Sequence, residues 1–272
     1  MAHIYAITNQ KGGVGKTTTS VNLAASLAAT KKRVLLVDMD PQGNATMGSG
    51  IDKNAQEATV YDVLMNEIGI HDAIQFSTEA DYGVLAANAD LTAAEVQLLD
   101  EDGKERRLAD ALGLVTDKYD YILIDCPPSL NMLTVNALTA CDGVLIPMQC
   151  EYYALEGLSA LVETISTIQS ALNPNLEIRG ILRTMYDPRM SLTSDVSAQL
   201  SEYFGDRLYR TCIPRNVRLA EAPSFGKPVL HYDRQSKGAL AYLALAGEII
   251  RRNEEQADPN LDGSPSETAQ ST

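Results

Sequence analysis

The stretch of this chain with the most recognisable chemistry is "KGGVGKTT", residues 11–18, which carries glycines and two lysines. Its Gly15-Lys16-Thr17 end matches the phosphate-binding pattern G-x-x-x-x-G-K-[ST], although Gln10 stands where that pattern has its first glycine. Glycines let backbone N–H groups turn toward an anion, and the N-terminus of a following helix favours negative charge. The lysine would neutralise the β- and γ-phosphates, and the threonine hydroxyl would bind Mg²⁺. The run therefore predicts a site for a nucleoside triphosphate with its metal ion.

The other contacts to the nucleotide are assigned to the rest of the loop. They fall to Gly12, Gly13, Val14, Gly15 and Thr18. An ordinary glycine-rich turn beside a helix is the alternative interpretation. A loop that follows a strand and opens a helix, however, is the context in which the pattern is credible.

Two aspartates at the ends of apolar runs complete the predicted chemistry. Asp40, in "LLVDMDPQGN", is assigned to the attacking water, because phosphoryl transfer needs a residue that positions the nucleophile more than a strong base. Asp125, in "YILIDCPPS", is assigned to Mg²⁺ together with Thr17. Capping of a helix or turn is the alternative role for each aspartate, and it stays open above all for Asp38.

The elements that must position these residues alternate between short β-rich runs and longer helical patterns. Strands are predicted at 4–8, 33–38, 82–87, 119–126, 142–148, 178–186 and 207–213. Helices are predicted at 16–30, 91–113, 130–140, 154–172, 191–204 and 236–252. This alternation predicts an α/β fold with a mainly parallel, twisted sheet and helices on both faces. The ligand crevice of such a sheet lies beyond the carboxyl ends of its strands, where the loop and both aspartates fall.

Composition predicts one domain in a reducing compartment. Residues 1–252 are predicted to form a single domain, and residues 253–272, which lack Lys and Arg, a disordered acidic tail. The four cysteines have no C-x-x-C spacing, and no run approaches 18 apolar residues, so a cytoplasmic protein without a membrane span is expected. The net charge of −14 argues at first sight against a nucleic-acid partner.

Five segments of the chain together resemble one known family. They are "KGGVGKTTTSVNLA", "RVLLVDMDPQGNAT", "YILIDCPPSL", "QCEYYALEGL" and "IPRNVRLAEAPSFGKPV". They look like a ParA/Soj-type chromosome-partitioning ATPase, a P-loop NTPase of the deviant Walker A class, and the likeness runs from about residue 1 to 252. The resemblance implies ATP and Mg²⁺ as cofactors. It also implies that Lys11 reaches across an ATP-bound homodimer to the partner's phosphates, and so joins Lys16 and Asp40 as a catalytic residue.

The same resemblance implies partners that the net charge alone disfavours. Such dimers bind double-stranded DNA without sequence preference, and a ParB-like protein stimulates hydrolysis, so a nucleoid-associated location is expected. The family's DNA-binding positions match Arg189 and Arg218, and Lys237 falls in the same part of the chain. For the adenine, Pro214 is expected to stack on the base and Asn216 to bond its edge.

A local excess of bases supports the DNA interpretation. The bases between residues 179 and 237 are Arg179, Arg183, Arg189, Arg207, Arg210, Arg215, Arg218, Lys227, Arg234 and Lys237. Six acids accompany these ten bases, so the segment carries +4 inside a chain of −14. One basic face is expected, with scattered solvated charges as the alternative.

Four other functions share parts of this pattern. A MinD-like cell-division ATPase would need a basic amphipathic C-terminal helix, whereas "EIIRRNEEQADPN" turns acidic. An iron–sulfur reductase would need two cysteines in glycine-rich loops, which Cys126 and Cys141 do not have. A biosynthetic ligase and a nucleotide-binding protein without turnover are the remaining alternatives. Of the four, the MinD-like ATPase stays the main one.

Overall fold

Apolar runs such as "VLLVD" and "YILID" form the strands of one sheet in the computed structural model, which describes residues 2–152 and 154–257. The strands are β1 His3–Ile7, β2 Val34–Asp38, β3 Ile74–Ser77, β4 Tyr82–Leu85, β5 Tyr121–Asp125, β6 Gly143–Gln149, β7 Glu177–Tyr186 and β8 Leu208–Pro214. Each of the predicted strand runs coincides with one of these strands. β3, a short partly exposed run, was not predicted.

The strand order places the N-terminal strand in the interior of the sheet. The order is β3-β4-β2-β5-β1-β6-β7-β8, and every neighbouring pair is parallel except β3 and β4. In the parallel register Asp125 stands beside both Ile7 and Asp38. The carboxyl ends of β1, β2 and β5 therefore lie together at one edge of the sheet, which confirms the predicted mainly parallel fold.

Helices cover both faces of the sheet. They are α1 Lys16–Ala29, α2 Asn44–Gly48, α3 Val60–Leu64, α4 Ile70–Ala73, α5 Leu91–Gln97, α6 Arg107–Gly113, α7 Met132–Ala140, α8 Ala154–Ala171, α9 Ser191–Phe204, α10 Val217–Glu221, α11 Val229–Tyr232 and α12 Lys237–Ala257. Alternate residues of β1 enter opposite cores: Ile4 and Ala6 pack with α7 and α8, while Tyr5 and Ile7 pack with α1 and α12. Strands with two buried faces explain the continuous apolar runs.

Two predicted boundaries are corrected by the structure. The helix predicted at 91–113 is interrupted between α5 and α6, where Gly103 adopts a φ of 68° that a helix cannot contain. The last helix, predicted at 236–252, continues to Ala257. Asn253 is buried and its side chain bonds Tyr5 and Tyr121, so the helix must extend past it. The rest of the predicted tail, 258–272, lies outside the described residues.

The cysteines bear on the expected reducing compartment, and the helix lengths bear on the expected absence of a membrane span. All four cysteines are unpaired, and three of them are buried. Among the helices of the described ranges, none has both the length and the apolar content that a bilayer-spanning helix needs.

Candidate nucleotide site

The phosphate loop joins the end of β1 to the start of α1. Gly13 and Gly15 have φ angles of 75° and 89°, in the left-handed region that favours glycine. Gly15 is the N-cap of α1, and among the residues that the structure describes no side chain caps that helix end. The first N–H groups of the helix therefore remain for a ligand, and the helix dipole favours an anion there. The structure thus places the predicted loop in the conformation that phosphate binding needs.

Lys16 is confined inside this loop. Its side chain is mostly buried, and Nζ lies 3.4 Å from the backbone oxygen of Lys11 on the other side of the loop. Burial lowers the pKa of the Lys16 ammonium, while the carboxylates of Asp125 and Asp40 act in the opposite direction. The ammonium is thus partly desolvated, which strengthens its attraction to an incoming phosphate.

Thr17 and Asp125 meet as predicted for a magnesium site. The Thr17 hydroxyl donates a 2.8 Å bond to Asp125, and Ser20, one helical turn later, donates a 2.7 Å bond to the other carboxylate oxygen. Burial raises the pKa of Asp125, and the charge of Asp38 raises it further. In the described residues, no three His, Cys, Asp or Glu side chains come together to hold a metal unaided. The Thr17 hydroxyl and the Asp125 carboxylate fit Mg²⁺, which takes one or two protein ligands and completes its shell with waters and phosphate oxygens.

Asp38 and Asp40 have different surroundings although only one residue separates them. Asp38 is fully buried and accepts bonds from the N–H and hydroxyl of Thr46, both 2.8 Å, and from the N–H of Asp40. Asp38 therefore has the structural role that the sequence left open. Asp40 is partly exposed and accepts a 2.9 Å bond from the N–H of Gln42. Asp40 follows β2, at the same carboxyl ends of the strands as the phosphate loop.

Lys11, the second lysine, is paired within its own chain. Its Nζ lies 2.5 Å from a carboxylate oxygen of Glu151, and the two side chains are 42% and 51% exposed. Glu151 follows β6, whose carboxyl end lies beside the phosphate loop. Sequence reasoning did not single out Glu151, because only the strand order brings it to Lys11.

The predicted adenine residues lie at the end of β8. Pro214 is the last residue of that strand, and Asn216 follows as the N-cap of α10. The side-chain oxygen of Asn216 accepts a 3.3 Å bond from the N–H of Leu219. This bond fixes the orientation of the amide, so the residue has a structural role besides the one predicted.

The two arginines predicted for DNA are paired with acids, and four of the ten bases lie in a separate cleft. Arg189 makes a bidentate pair with Asp187, and Arg218 contacts Glu221 and Asp233 at 2.7 and 3.2 Å. Lys237 is the exposed first residue of α12. Four of the bases line a separate cleft of about 1140 Å³, near the start of β7 and along β8; they are Arg179, Arg183, Arg207 and Arg210. These four bases thus group in this cleft, and one basic face stays a prediction for the other six.

Two further residues hold the loop and were missed from the sequence. Asn9 donates a 2.8 Å bond to the Pro147 oxygen and accepts from the N–H of Lys11. Thr184, in β7, donates a 2.7 Å bond to the Val14 oxygen. In the sequence, each of the two appears only as a polar residue near the carboxyl end of a strand. Their partners, Pro147 and Val14, are distant in the chain and are known only from the tertiary structure.

Comparisons with known proteins agree with this geometry. A family model described as an AAA domain matches residues 2–178. The sporulation initiation inhibitor protein Soj of Bacillus subtilis is 55% identical over 249 residues, which cover 92% of this chain and 98% of that protein. The chromosome partitioning protein ParA of Myxococcus xanthus is 52% identical over 254 residues, covering 93% and 89%.

Solved structures give the same fold. Cobyrinic acid a,c-diamide synthase from Mycobacterium smegmatis, with bound ADP and magnesium, superimposes with a TM-score of 0.83 at 36% identity, covering 94% of this chain and 97% of that one. The cell division ATPase MinD of Pyrococcus furiosus has a TM-score of 0.77 at 28% identity, covering 93% and 100%. Both neighbours support a P-loop fold, and the first has the nucleotide and the metal that this site fits.

Proposed function

Because this chain belongs to the ParA/Soj family of chromosome-partitioning ATPases, we propose that ATP joins two copies of it into a sandwich dimer that binds DNA. The chain is an ATPase that uses ATP and Mg²⁺. The observation that carries the proposal is the 55% identity to Soj over 92% of the chain, combined with a second lysine in the phosphate loop. Identity to the diamide synthase is lower, at 36%, which favours partitioning over ligation.

Within each copy, the loop residues bind the nucleotide, and two aspartates act on the metal ion and on the attacking water. Lys16 and the N–H groups of the loop bind the phosphates. Thr17 and Asp125 hold Mg²⁺, which neutralises charge on the phosphate oxygens. Asp40 orients the attacking water. Buried Asp38 supports Asp40 through the bond from the Asp40 N–H.

Lys11 acts on the nucleotide of the partner subunit. In the single chain it is neutralised by Glu151, but ion pairs this exposed contribute only about 0–1 kcal/mol. Exchange of one carboxylate for a triphosphate is therefore favourable, since two facing nucleotides carry several negative charges that need cations from both subunits. The ion pair leaves Lys11 available for this exchange.

DNA binds the dimer through Arg189, Arg218 and Lys237, each presented twice. Both arginines are already paired with acids, so DNA phosphates compete with Asp187, Glu221 and Asp233. Binding is therefore weak in a single copy and depends on the doubled set of charges. The protein works in the cytoplasm on the nucleoid, and a ParB-like protein stimulates hydrolysis and release.

The experiment is a DNA mobility shift with ATP over a range of salt concentrations. The variants are Arg189→Glu and Arg218→Glu, with Arg33→Glu as the matched control. Arg33 is also exposed and paired with an acid, Asp120. It precedes β2, however, and so lies at the amino ends of the parallel strands, away from the phosphate loop at their carboxyl ends. Gel filtration of the same proteins with ATP, ADP or no nucleotide reports dimer formation.

Each DNA-site variant should weaken binding at least about tenfold for all sequences alike and leave the ATP-dependent dimer intact. The log–log salt slope, about −0.9 per phosphate neutralised, should become shallower by about two units, since one substitution removes two contacts per dimer. Undiminished DNA binding by both variants would show that DNA binds to other residues of the protein. If the protein sediments with anionic vesicles and does not bind DNA, that result would favour the MinD-like function.

A further inference from the structure

Thr184 connects β7 to the phosphate loop. Its hydroxyl donates a 2.7 Å hydrogen bond to the backbone oxygen of Val14, which lies 170 positions earlier in the chain. Thr184 is only 3% exposed, so water cannot readily replace this bond. Its methyl group lies 3.8 Å from the position that a Cβ on Gly15 would occupy. Thr184 therefore bonds Val14 and faces Gly15 across the same peptide.

The geometry of that peptide determines what the bond does. In a planar trans peptide the C=O and N–H groups point in opposite directions. A hydroxyl that holds the Val14 oxygen on the β7 side therefore points the Gly15 N–H away from β7. Glycine tolerates either orientation of a neighbouring peptide, so without this bond the Val14 oxygen can turn toward the anion and repel it.

The end of β7 has a distorted backbone that sets the position of Thr184. Between Arg183 and Tyr186 the pairing with β8 shifts register, and Met185 has a φ of 47°. A left-handed conformation in a residue other than glycine costs about 1–3 kcal/mol and persists only where surrounding contacts enforce it. Such strain is concentrated at functional sites, and here it lies directly after the residue that contacts the loop.

We propose that Thr184 is a positioning residue of the ATPase site, which fixes the Val14–Gly15 peptide so that the Gly15 N–H faces the phosphates of the nucleotide. Thr184 acts through the loop and does not itself contact the reacting atoms. The inference rests on the ATPase site alone and is independent of the dimer, DNA and ParB-like partner. Its test therefore uses free protein without DNA, and it can fail while those proposals stand.

The test compares Thr184→Val, Thr184→Ser and Thr139→Val in the full chain. Valine keeps the shape of threonine but removes the donor, whereas serine keeps the donor. Thr139 is the matched control, because it is also buried and its hydroxyl has no hydrogen-bond partner among the described residues. Displacement of a fluorescent ATP analogue by ATP, ADP and AMP gives the affinities, and thermal unfolding without nucleotide gives stability.

Thr184→Val should bind ATP and ADP about tenfold more weakly, the loss expected when one buried hydrogen bond worth about 1.4 kcal/mol no longer favours the binding-competent peptide. AMP affinity should change less than twofold, because AMP has no β-phosphate for the loop. Thr184→Ser should stay within about threefold of the unchanged protein, and Thr139→Val should match it.

Three results would overturn the proposal. The first is unchanged ATP and ADP affinity in Thr184→Val. The second is an equal loss for AMP accompanied by a large fall in unfolding temperature, since that pattern indicates a general packing role. The third is failure of serine to restore binding, because the donor would then not be the relevant group.

Discussion

Asp40 differs from its neighbouring aspartates in exposure, and this decides what each can do. Asp38 and Asp125 are fully buried, and burial raises the pKa of both carboxyl groups. Both are also occupied by several hydrogen bonds from the protein. Asp40 is partly exposed and has one lone pair engaged by the N–H of Gln42. It is thus the aspartate of this group with capacity left for a water molecule.

Replacing Asp40 with alanine should separate binding from hydrolysis. We expect Asp40→Ala to bind ATP within about threefold of the unchanged protein, because Lys16 and the loop N–H groups are untouched. Phosphate release should fall at least about 100-fold, the usual contribution of a group that handles the attacking water. Single-turnover phosphate release beside nucleotide titration measures both quantities.

Asp52→Ala is the matched control for this variant. Asp52 accepts the same kind of bond as Asp40, from the N–H two residues later, but lies outside the site. Near-normal hydrolysis by Asp40→Ala, or an equal loss in Asp52→Ala, would assign the water to another residue.

At the scale of elements, the sequence predicted those features that depend on local pattern. β5 and β6 are buried on both faces, so their composition alone identified them. β3 was missed because its four residues, partly exposed at the sheet edge, form too short a pattern. The phosphate loop was predictable since glycine spacing and helix start are local. Thr184 and Glu151 were not, because their partners depend on the order of β1, β6 and β7 in the sheet.

The last strand contains a feature that no pattern revealed. Between Ile181 and Arg183 of β7, the pairing partner on β8 moves from Leu208 to Cys212, so part of β8 is not paired to β7. Glu248 of α12 compensates: its carboxylate accepts 2.9 Å bonds from the N–H groups of Arg210 and Thr211.

Arg252 completes this arrangement. It pairs with Glu248 at 2.7 Å and donates a bond to the Leu208 oxygen. A helix thus supplies the hydrogen bonds that a neighbouring strand would have made. These bonds hold the edge strand β8, which ends at Pro214.

Glu248→Gln should destabilise the protein in a pH-dependent manner. Burial raises the pKa of Glu248, but its bonds from Thr211 and Arg210 and its pair with Arg252 outweigh burial, so the folded pKa lies below the ordinary 4.5. The carboxylate therefore stabilises the fold above pH 4.5 and loses this contribution as pH falls through the folded pKa. We expect a loss of about 1–3 kcal/mol at pH 7 that shrinks below pH 4.5, measured by urea unfolding.

Glu177→Gln serves as the control for this change. Glu177 also pairs with an arginine, Arg179, but is 62% exposed, so its replacement should cost less than about 1 kcal/mol at any pH. A loss in Glu248→Gln that is constant from pH 7 to pH 4 would show that charge is not the cause.

At the scale of the whole molecule, the last helix, α12, is hydrogen-bonded to the first strand, β1. The Tyr5 hydroxyl donates a 2.7 Å bond to Asn253, and the Asn253 amide donates a 3.2 Å bond to the Tyr121 hydroxyl. Tyr5 and Tyr121 lie on adjacent strands in the interior of the sheet. Asn253 is therefore part of the folded core, although the composition changes character at that residue.

Two shortened chains should differ in stability for this reason. A chain ending at Arg252 should unfold with a free energy about 2–4 kcal/mol lower than a chain ending at Ala257, because two buried hydroxyls lose their partner. Urea unfolding of both chains measures the difference. Asn253→Ala in the full chain should reproduce most of it, and equal midpoints for the two shortened chains would remove the role given to Asn253.

The interior position of β1 also has a consequence for how the protein is made. The phosphate loop is synthesised before β5, β6 and Thr184, yet β1 pairs with β5 and β6, and the loop oxygen of Val14 bonds Thr184. Contacts so distant in the chain form late and slowly. ATP therefore cannot bind an early nascent chain or guide its folding. It can only stabilise a domain whose later strands and last helix are in place, so the segment that carries the loop must be kept from aggregation until those elements have emerged.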